Sequence, residues 1–171
     1  VYGTRLFFTR AADFGYSKSP DETMKIWGDQ VLEDMVRVIR TFRPHVIINS
    51  WGGVRGGHGQ HVASGLLTPQ AYAMAGDVKA FPAQIEEGLQ PWKAESLLQP
   101  ARGGATGGFS IPVSEISPLW GKSWGEIGVE GYLHHRTQGV GGVRSSPFFR
   151  RAITLGGVEG ADRPAAGRLL G

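Results

Sequence analysis

Apolar and polar residues follow each other along the chain in a pattern that predicts alternating strands and helices. The apolar runs RLFFT (5–9) and HVIINS (45–50) are bounded by polar residues, as buried strands are. Between them, SPDE (19–22) has the form of a helix start, with serine as N-cap, proline at the first helical position and glutamate reaching back. Apolar residues then recur every three or four positions as far as Phe42, with Gly28 as a candidate kink. A helix between two strands predicts a right-handed crossover in a parallel sheet.

The second half of the chain continues the pattern, with more glycine. Apolar residues between 62 and 74 predict a helix that is broken or kinked at Pro69. The segment 81–93 reads as an exposed excursion before the next strand. The later predicted elements are the strands ESLLQ (95–99) and IPVSEI (111–116) and the glycine-weakened helix SWGEIGVEGYLHHRTQ (123–138). The whole pattern is that of an α/β fold.

The length, charge and cysteine content of the chain exclude several classes of protein. With 171 residues, 40% of them hydrophobic, the chain is the size of one globular, soluble domain. A net charge of +3 is mild, and although arginines concentrate in the last third of the chain, nucleic-acid binding would need a denser basic stripe with aromatic residues between the charges. There is no run long enough for a membrane span and no signal-peptide layout at the N-terminus, and the compartment, cytoplasmic or exported, stays undecided. Because the chain has no cysteine, any metal must be held by histidine and carboxylate.

The stretch GGHGQHVA (56–63) contains the strongest candidate chemistry. His58 and His61 follow glycines directly after the apolar run 45–50, and a helix is predicted to begin near His61. In an open parallel sheet, ligands gather beyond the carboxyl ends of the strands, where this loop must emerge. Neutral imidazole is a zinc ligand, but catalytic zinc usually has three protein ligands. The pair is therefore either part of a metal site or a polar loop whose histidines flank or cap the helix.

Other polar residues admit two interpretations each. Asp13 precedes Gly15 in a loop and is either the acceptor of an Asx-type turn or a contact for a sugar hydroxyl. His135 lies at a predicted helix end, where it either opposes the helix dipole or supports a neighbouring ligand. His134 is expected to face solvent, and His45 to be structural or exposed. Three tryptophans are left unassigned between stacking on a sugar ring and packing in the core: Trp51, Trp120 and Trp124.

An ordered set of motifs resembles a known family. RTFRPHVIINS…GGHGQHVASG resembles the region of the PIG-L/LmbE-like N-acetylglucosaminyl deacetylases in which RP-D-V-V leads into G-H-x-x-H before a helix. DFGYSKS, FPAQIEEGLQPWK and SWGEIGVEGYLHHRTQG, the last similar to that family's helix ending in H-x-[ST]-Q, occur in the expected order. Together they cover most of residues 5–140. The resemblance implies a Rossmann-like, LmbE-like three-layer α/β fold with a mainly parallel sheet, and a single deacetylase domain over residues 1–171.

The family's early motif is missing from this sequence. Family members bind zinc through a histidine and an aspartate of an A-H-P-D-D motif and through the second histidine of H-x-x-H, and the other aspartate of the early motif is the general base. KSPDETM (18–24) has Ser19 where that histidine should be and opens a predicted helix instead of closing a first strand. We therefore expect the motif to lie upstream of Val1, the domain to be truncated at its N-terminus, and this chain by itself to be inactive. Gln60 is a further departure, since many relatives have aspartate there.

The resemblance assigns roles to two residues, His61 and His58. It makes His61 the ligand of zinc or another divalent metal, and His58 the catalytic residue beside the reacting carbonyl of an N-acetylated sugar or related amide. The candidate roles of two other residues come from their positions in the sequence: Asp13 as a substrate contact and His135 as support for a ligand. Two alternatives stay open. One is a carbohydrate-binding or degenerate relative that keeps the scaffold without the chemistry, and the other is an unrelated metallohydrolase that uses His58, His61 and His135 together.

Overall fold

The computed structural model describes residues 3–53, 57–101, 108–134 and 152–158. They fall into two compact units, one built on residues 7–101 with 156–158, the other on residues 3–6, 108–134 and 152–155. The elements are α1 (Pro20–Trp27), α2 (Asp29–Phe42), β1 (Val46–Ile48), α3 (Gly59–Ala75), α4 (Pro82–Glu86), β2 (Ser96–Pro100), β3 (Phe109–Pro112), α5 (Trp124–Tyr132) and β4 (Ala152–Gly157). The prediction of a single domain stays a prediction.

Helix α1 begins where the sequence predicts. The Ser19 hydroxyl accepts the Glu22 backbone N–H at 3.2 Å, and Pro20 occupies the first helical position. The Glu22 carboxylate reaches back beyond the N-cap, since it accepts the Lys18 N–H at 3.2 Å and the Ser17 hydroxyl at 2.9 Å. The segment KSPDETM therefore opens a helix, as expected.

The predicted kink at Gly28 is a full break. Gly28 has a φ of 60°, a conformation that glycine adopts readily, and it separates α1 from α2. Helix α2 then ends at Phe42, where Arg43 takes the left-handed conformation and donates its N–H to the Ile39 carbonyl at 2.8 Å. The interpretation of residues 20–42 as one kinked helix is therefore wrong in that detail.

The core of the larger unit lies between three helices and a strand pair. Helix α3 packs against α1 and α2. The buried apolar residues at these contacts are Trp27, Val31, Ala63 and Leu67 on one side and Val36, Ile39, Ala71 and Ala75 on the other. A third buried group, Tyr72, Ala94 and Leu97, joins α3 to β2.

Strands β1 and β2 are compatible with the predicted α/β class. They pair in parallel, with Val46 opposite Ser96 and Ile48 opposite Leu98, and the chain between them forms α3 and α4. The crossover therefore joins HVIINS to ESLLQ. The earlier crossover, predicted between RLFFT and HVIINS, is not formed in the described residues, because RLFFT is not a strand.

RLFFT is the clearest wrong prediction. Residues 3–14 form neither helix nor strand, and Leu6 and Phe8 are 76% and 84% exposed. A strand exists only when a neighbour satisfies its backbone N–H and C=O groups, and in the described residues no strand pairs with this run. An apolar run alone does not supply that partner.

The segment 81–93 is largely exposed, as its composition suggested, but it is not irregular throughout. It contains α4, in which Gln84 is fully buried and receives an Arg40 N–H at 3.1 Å. Arg40 is itself 2% exposed and donates to five backbone carbonyls, those of Met74, Ala75, Asp77, Ala80 and Phe81. Burial lowers the pKa of Arg40, and the Asp77 carboxylate opposes that shift. One buried guanidinium thus organises the turn between α3 and α4.

In the smaller unit, β3 and β4 pair antiparallel, with Phe109 opposite Leu155. The strand predicted at 111–116 overlaps β3 only at its first two residues. Helix α5 begins with a capping box, in which the Ser123 hydroxyl accepts the Glu126 N–H and the Glu126 carboxylate accepts the Ser123 N–H. The described helices include none with the length and apolar character needed to cross a membrane.

Candidate functional site: a histidine pair at the start of helix α3

The two histidines lie where the sequence placed them, beyond the carboxyl end of β1 and at the start of α3. His58 is the N-cap residue, and its carbonyl accepts the N–H groups of His61 at 3.1 Å and Val62 at 3.2 Å. His61 lies in the first turn of the helix. A rigid element therefore carries both side chains at the edge where ligands of parallel sheets gather.

The two imidazole rings are neighbours. Their centroids are 5.2 Å apart and their planes are inclined by 41°. Two imidazoles that bind one tetrahedral zinc ion through Zn–N bonds of about 2.0–2.1 Å have centroids roughly 5 Å apart. The separation is therefore compatible with one ion held by both rings, and also with one ring as ligand and the other beside it.

Trp51 covers one face of the His61 ring. The two rings are stacked, with centroids 3.7 Å apart and planes inclined by 6°. The backbone brings them together, because the Trp51 carbonyl oxygen lies 2.4 Å from the position that a Gly65 Cβ would occupy. Gly65 is four residues after His61, on the same face of α3. The contact between the Trp51 backbone and Gly65 of α3 thus places the indole over the imidazole of His61, one helical turn earlier.

Tyr16 contacts the other histidine. Its ring meets that of His58 edge-on, with centroids 4.6 Å apart and an interplanar angle of 73°, while its own side chain is largely exposed. His58 Nδ1 is buried and has no hydrogen-bond partner in the described part of the protein. A buried polar atom of this kind is uncommon, and it is available to a ligand or to water.

The loop that carries Tyr16 is held on the start of α3 by two hydrogen bonds. The Gly59 N–H donates to the Ser17 carbonyl at 2.9 Å, and the Gln60 amide donates to the Gly15 carbonyl at 3.0 Å. Ser17 is fully buried. The Gln60 contact needs an N–H donor, which an aspartate at this position would not supply.

The electrostatics of the pair favour neutral His61. Partial desolvation lowers the pKa of His61, and repulsion by a positively charged His58 lowers it further. Neutral imidazole is the form that binds a metal ion.

The described residues include two candidate metal ligands, the imidazoles of His58 and His61. Two imidazoles with a buried, unpartnered nitrogen fit a divalent transition metal. No cluster of three or more histidine, cysteine, aspartate or glutamate side chains with metal-binding geometry occurs among residues 3–53, 57–101, 108–134 and 152–158. The other expected residues do not complete a metal site in this part of the chain. Asp13 forms the predicted turn, in which its Oδ1 accepts the Gly15 N–H at 3.0 Å, and His135 lies outside the described residues.

Sequence reasoning missed the ring partners of both histidines. The loop predicted for DFGYSKS is correct, but nothing in that segment points to Tyr16 as the neighbour of His58. A place in the core, one of the two interpretations open for Trp51, Trp120 and Trp124, is wrong, since their exposed fractions are 41%, 63% and 48%. His45 and His134 are exposed, as expected.

Comparison with protein-family models gives no match, and comparison with curated proteins gives no significant match.

Proposed function

We propose that the chain contributes the H-x-x-H half of a metal-dependent N-deacetylase site, in a Rossmann-like three-layer domain of the PIG-L/LmbE type. The substrate class is an N-acetylated sugar, GlcNAc-like, or a related amide. The observation that carries the proposal is the adjacency of His58 and His61 at the start of a helix that follows a parallel strand. The ordered motifs that resemble the deacetylase family supply the reaction class.

The two histidines have different roles in this proposal. A bound zinc ion would polarise the amide carbonyl and acidify a water molecule. His61 offers a neutral ring nitrogen as a ligand, which its lowered pKa favours. His58, protonated, donates to the oxygen on which negative charge develops or to the departing amine. Donors of this kind contribute roughly two to four orders of magnitude in rate.

The sequence encoded immediately upstream of Val1 tests the proposal first. A strand that ends in A-H-P-D-D would supply the remaining ligands and the general base, and it would support the deacetylase. A different upstream sequence would favour the binding protein described below.

Kinetics on a protein that carries both motifs test the division of roles. His61→Ala should lose metal and activity together, because it removes a ligand. His58→Ala should keep zinc near stoichiometric while kcat for release of acetate from N-acetylglucosamine falls by about two to three orders of magnitude. Metal analysis beside steady-state kinetics measures both quantities. Loss of zinc in both variants would make both histidines ligands and would favour the unrelated metallohydrolase.

A carbohydrate-binding protein is the second candidate. It is favoured by the exposed aromatic rings of Tyr16 and Trp51 beside the histidine pair, since aromatic faces are common platforms for sugar rings. Binding of N-acetylglucosamine that is unaffected by chelators and by His61→Ala, without release of acetate, would support this candidate.

A further inference from the structure

We infer that Trp51 is the positioning residue for His61: its indole face fixes the plane of the His61 imidazole and so fixes where a metal ion can meet the ring. The inference rests on the proposed function for the identity of the ligand. The stack itself is independent of that function. Trp51 touches no reacting atom in this account and acts only through His61.

The stack restricts the ring without blocking its nitrogens. The planes of Trp51 and His61 are within 6° of parallel at 3.7 Å, so one whole face of the imidazole is covered. A metal ion binds an imidazole nitrogen through its lone pair, which lies in the plane of the ring. The indole therefore leaves the approach of a metal ion open while it opposes rotation of the ring about its Cβ–Cγ bond.

The indole is held in place because the backbone turn that carries Trp51 is fixed by its neighbours. The close approach of the Trp51 carbonyl to Gly65 leaves no room for a side chain on that residue of α3. Two residues earlier, the Asn49 side-chain amide donates to the Gly65 carbonyl at 2.8 Å, and the Asn49 N–H donates to the Leu98 carbonyl of β2 at 2.7 Å. The turn that carries Trp51 is thus tied both to the helix that carries His61 and to the parallel strand pair.

The two histidines differ in how firmly an aromatic neighbour constrains their rings. The rings of His58 and Tyr16 meet in a T-shaped contact instead of a stack, and Tyr16 is 68% exposed. His61 meets a full aromatic face on a fixed turn. The residue expected to hold the metal is therefore the one whose ring plane is constrained, as metal-binding histidines usually are by a neighbouring group.

The test compares Trp51→Ala and Trp51→Phe with the wild-type 171-residue chain. The first readout is the NMR chemical shift of the His61 ring protons without metal, since protons above an indole face are shifted upfield. The second is the zinc dissociation constant, followed through the same signals. Trp120→Ala, which removes another exposed tryptophan, is the control, and circular dichroism verifies that each variant is folded.

We expect Trp51→Ala to remove the upfield shift and to weaken zinc binding about tenfold, the lower end of the range for groups that orient a ligand. Trp51→Phe keeps a flat ring and should restore most of both, which a merely structural role for Trp51 does not predict. Trp120→Ala should change neither.

Two results would overturn the inference: an upfield shift that survives Trp51→Ala, or zinc binding that is equal in wild type and Trp51→Ala. Absence of zinc binding from every variant, wild type included, would instead count against the proposed function. The ring-proton shift would then test the stack on which the inference rests: an upfield shift in wild type that is lost in Trp51→Ala would support it, and no upfield shift in wild type would overturn it.

Discussion

Gly59 lies between the two histidines, directly after His58, and the structure leaves no room for a side chain on this residue. A Cβ on this residue would lie 2.3 Å from the Ser19 carbonyl oxygen and 2.4 Å from the Ser17 hydroxyl. Gly59→Ala must therefore push the loop 15–19 away from α3, and we expect it to lower the free energy of unfolding by about 1–3 kcal/mol. Urea unfolding measures this change.

Gly76→Ala is the matched control, because its Cβ would make ordinary contacts, 3.5 Å from Lys93 at the closest, and its φ is −82°. It should be close to neutral. In Gly59→Ala the edge contact between Tyr16 and His58 should also be lost, which the ring-proton shifts of His58 report. Equal stability of the two variants would show that the loop does not rest on Gly59.

The Asp34 carboxylate should make the stability of the larger unit depend on pH in the acid range. Its carboxylate accepts the Arg10 side chain at 2.8 and 3.0 Å and the Arg10 backbone N–H at 2.7 Å. The side-chain bonds from Arg10 lower the pKa of Asp34, partly opposed by its burial. A depressed pKa in the folded state contributes stability above the unfolded value of about 3.9, and this stability is lost as pH falls through the folded pKa.

Arg10→Met should therefore reduce stability near neutral pH and flatten its loss below pH of about 4. Because Arg10 is exposed to solvent and its charge is screened, the effect should be small. Urea midpoints measured across this pH range test it, with Arg5→Met as the control for removal of one positive charge. Identical profiles for Arg10→Met and wild type would contradict the assigned ion pair.

At the scale of single residues, the sequence predicted which residues are candidates for the site better than it predicted which side chains contact each other. His58 and His61 were recognisable because H-x-x-H after a strand is a local pattern. Asp13 was predictable as a turn residue for the same reason. The Trp51–His61 stack was not predictable, because it depends on a backbone approach at Gly65 that no local pattern encodes.

At the scale of elements, α3 runs through a proline without a break. Pro69 has no N–H to donate to the carbonyl of Gly65, four residues before it. The Asn49 side chain donates to that carbonyl instead, at 2.8 Å, and Asn49 is only 4% exposed. Of the two outcomes predicted at Pro69, a break or a kink, the break is wrong, since the helix is continuous from Gly59 to Ala75 and a residue twenty positions before Pro69 supplies the missing hydrogen bond.

Because the Asn49 amide takes the place of the N–H that Pro69 lacks, mutations of Asn49 and Pro69 should have coupled effects on stability. Asn49→Ala leaves the Gly65 carbonyl without a donor and should cost about 1–3 kcal/mol of the free energy of unfolding. With Pro69→Ala, residue 69 regains an N–H, so the same Asn49→Ala change should cost less. A double-mutant cycle by urea unfolding measures the difference. Additive effects would mean that Asn49 stabilises the protein by some other contact.

Helix starts were the most predictable elements. Ser19 caps α1 as expected, because capping depends on residues within one turn of each other, and Ser123, at the first residue of the segment predicted as a helix, caps α5. RLFFT failed because a strand depends on a partner elsewhere in the chain. The burial of Gln84 was missed for a related reason, since its donor, Arg40, comes from another helix.

At the scale of the whole molecule, the sequence predicted a mixture of helices and strands that is compatible with the structure, but it placed the parallel crossover between RLFFT and HVIINS, whereas the structure has it between HVIINS and ESLLQ. The three-layer arrangement and the deacetylase activity remain proposals. On this account, the 171-residue chain carries one of the three ligands expected by resemblance, so it should bind zinc weakly and should not hydrolyse N-acetylglucosamine. Robust hydrolysis by this chain would contradict that expectation.

Zinc binding by the histidine variants of this chain tests the central claim most directly. Equilibrium dialysis with metal analysis compares wild type, His58→Ala, His61→Ala and, as a control, His45→Ala, whose ring packs against Trp92 instead. The account predicts weak binding by wild type, unchanged binding by His45→Ala, retained binding by His58→Ala and no binding by His61→Ala. Zinc bound equally by His61→Ala and wild type would contradict it.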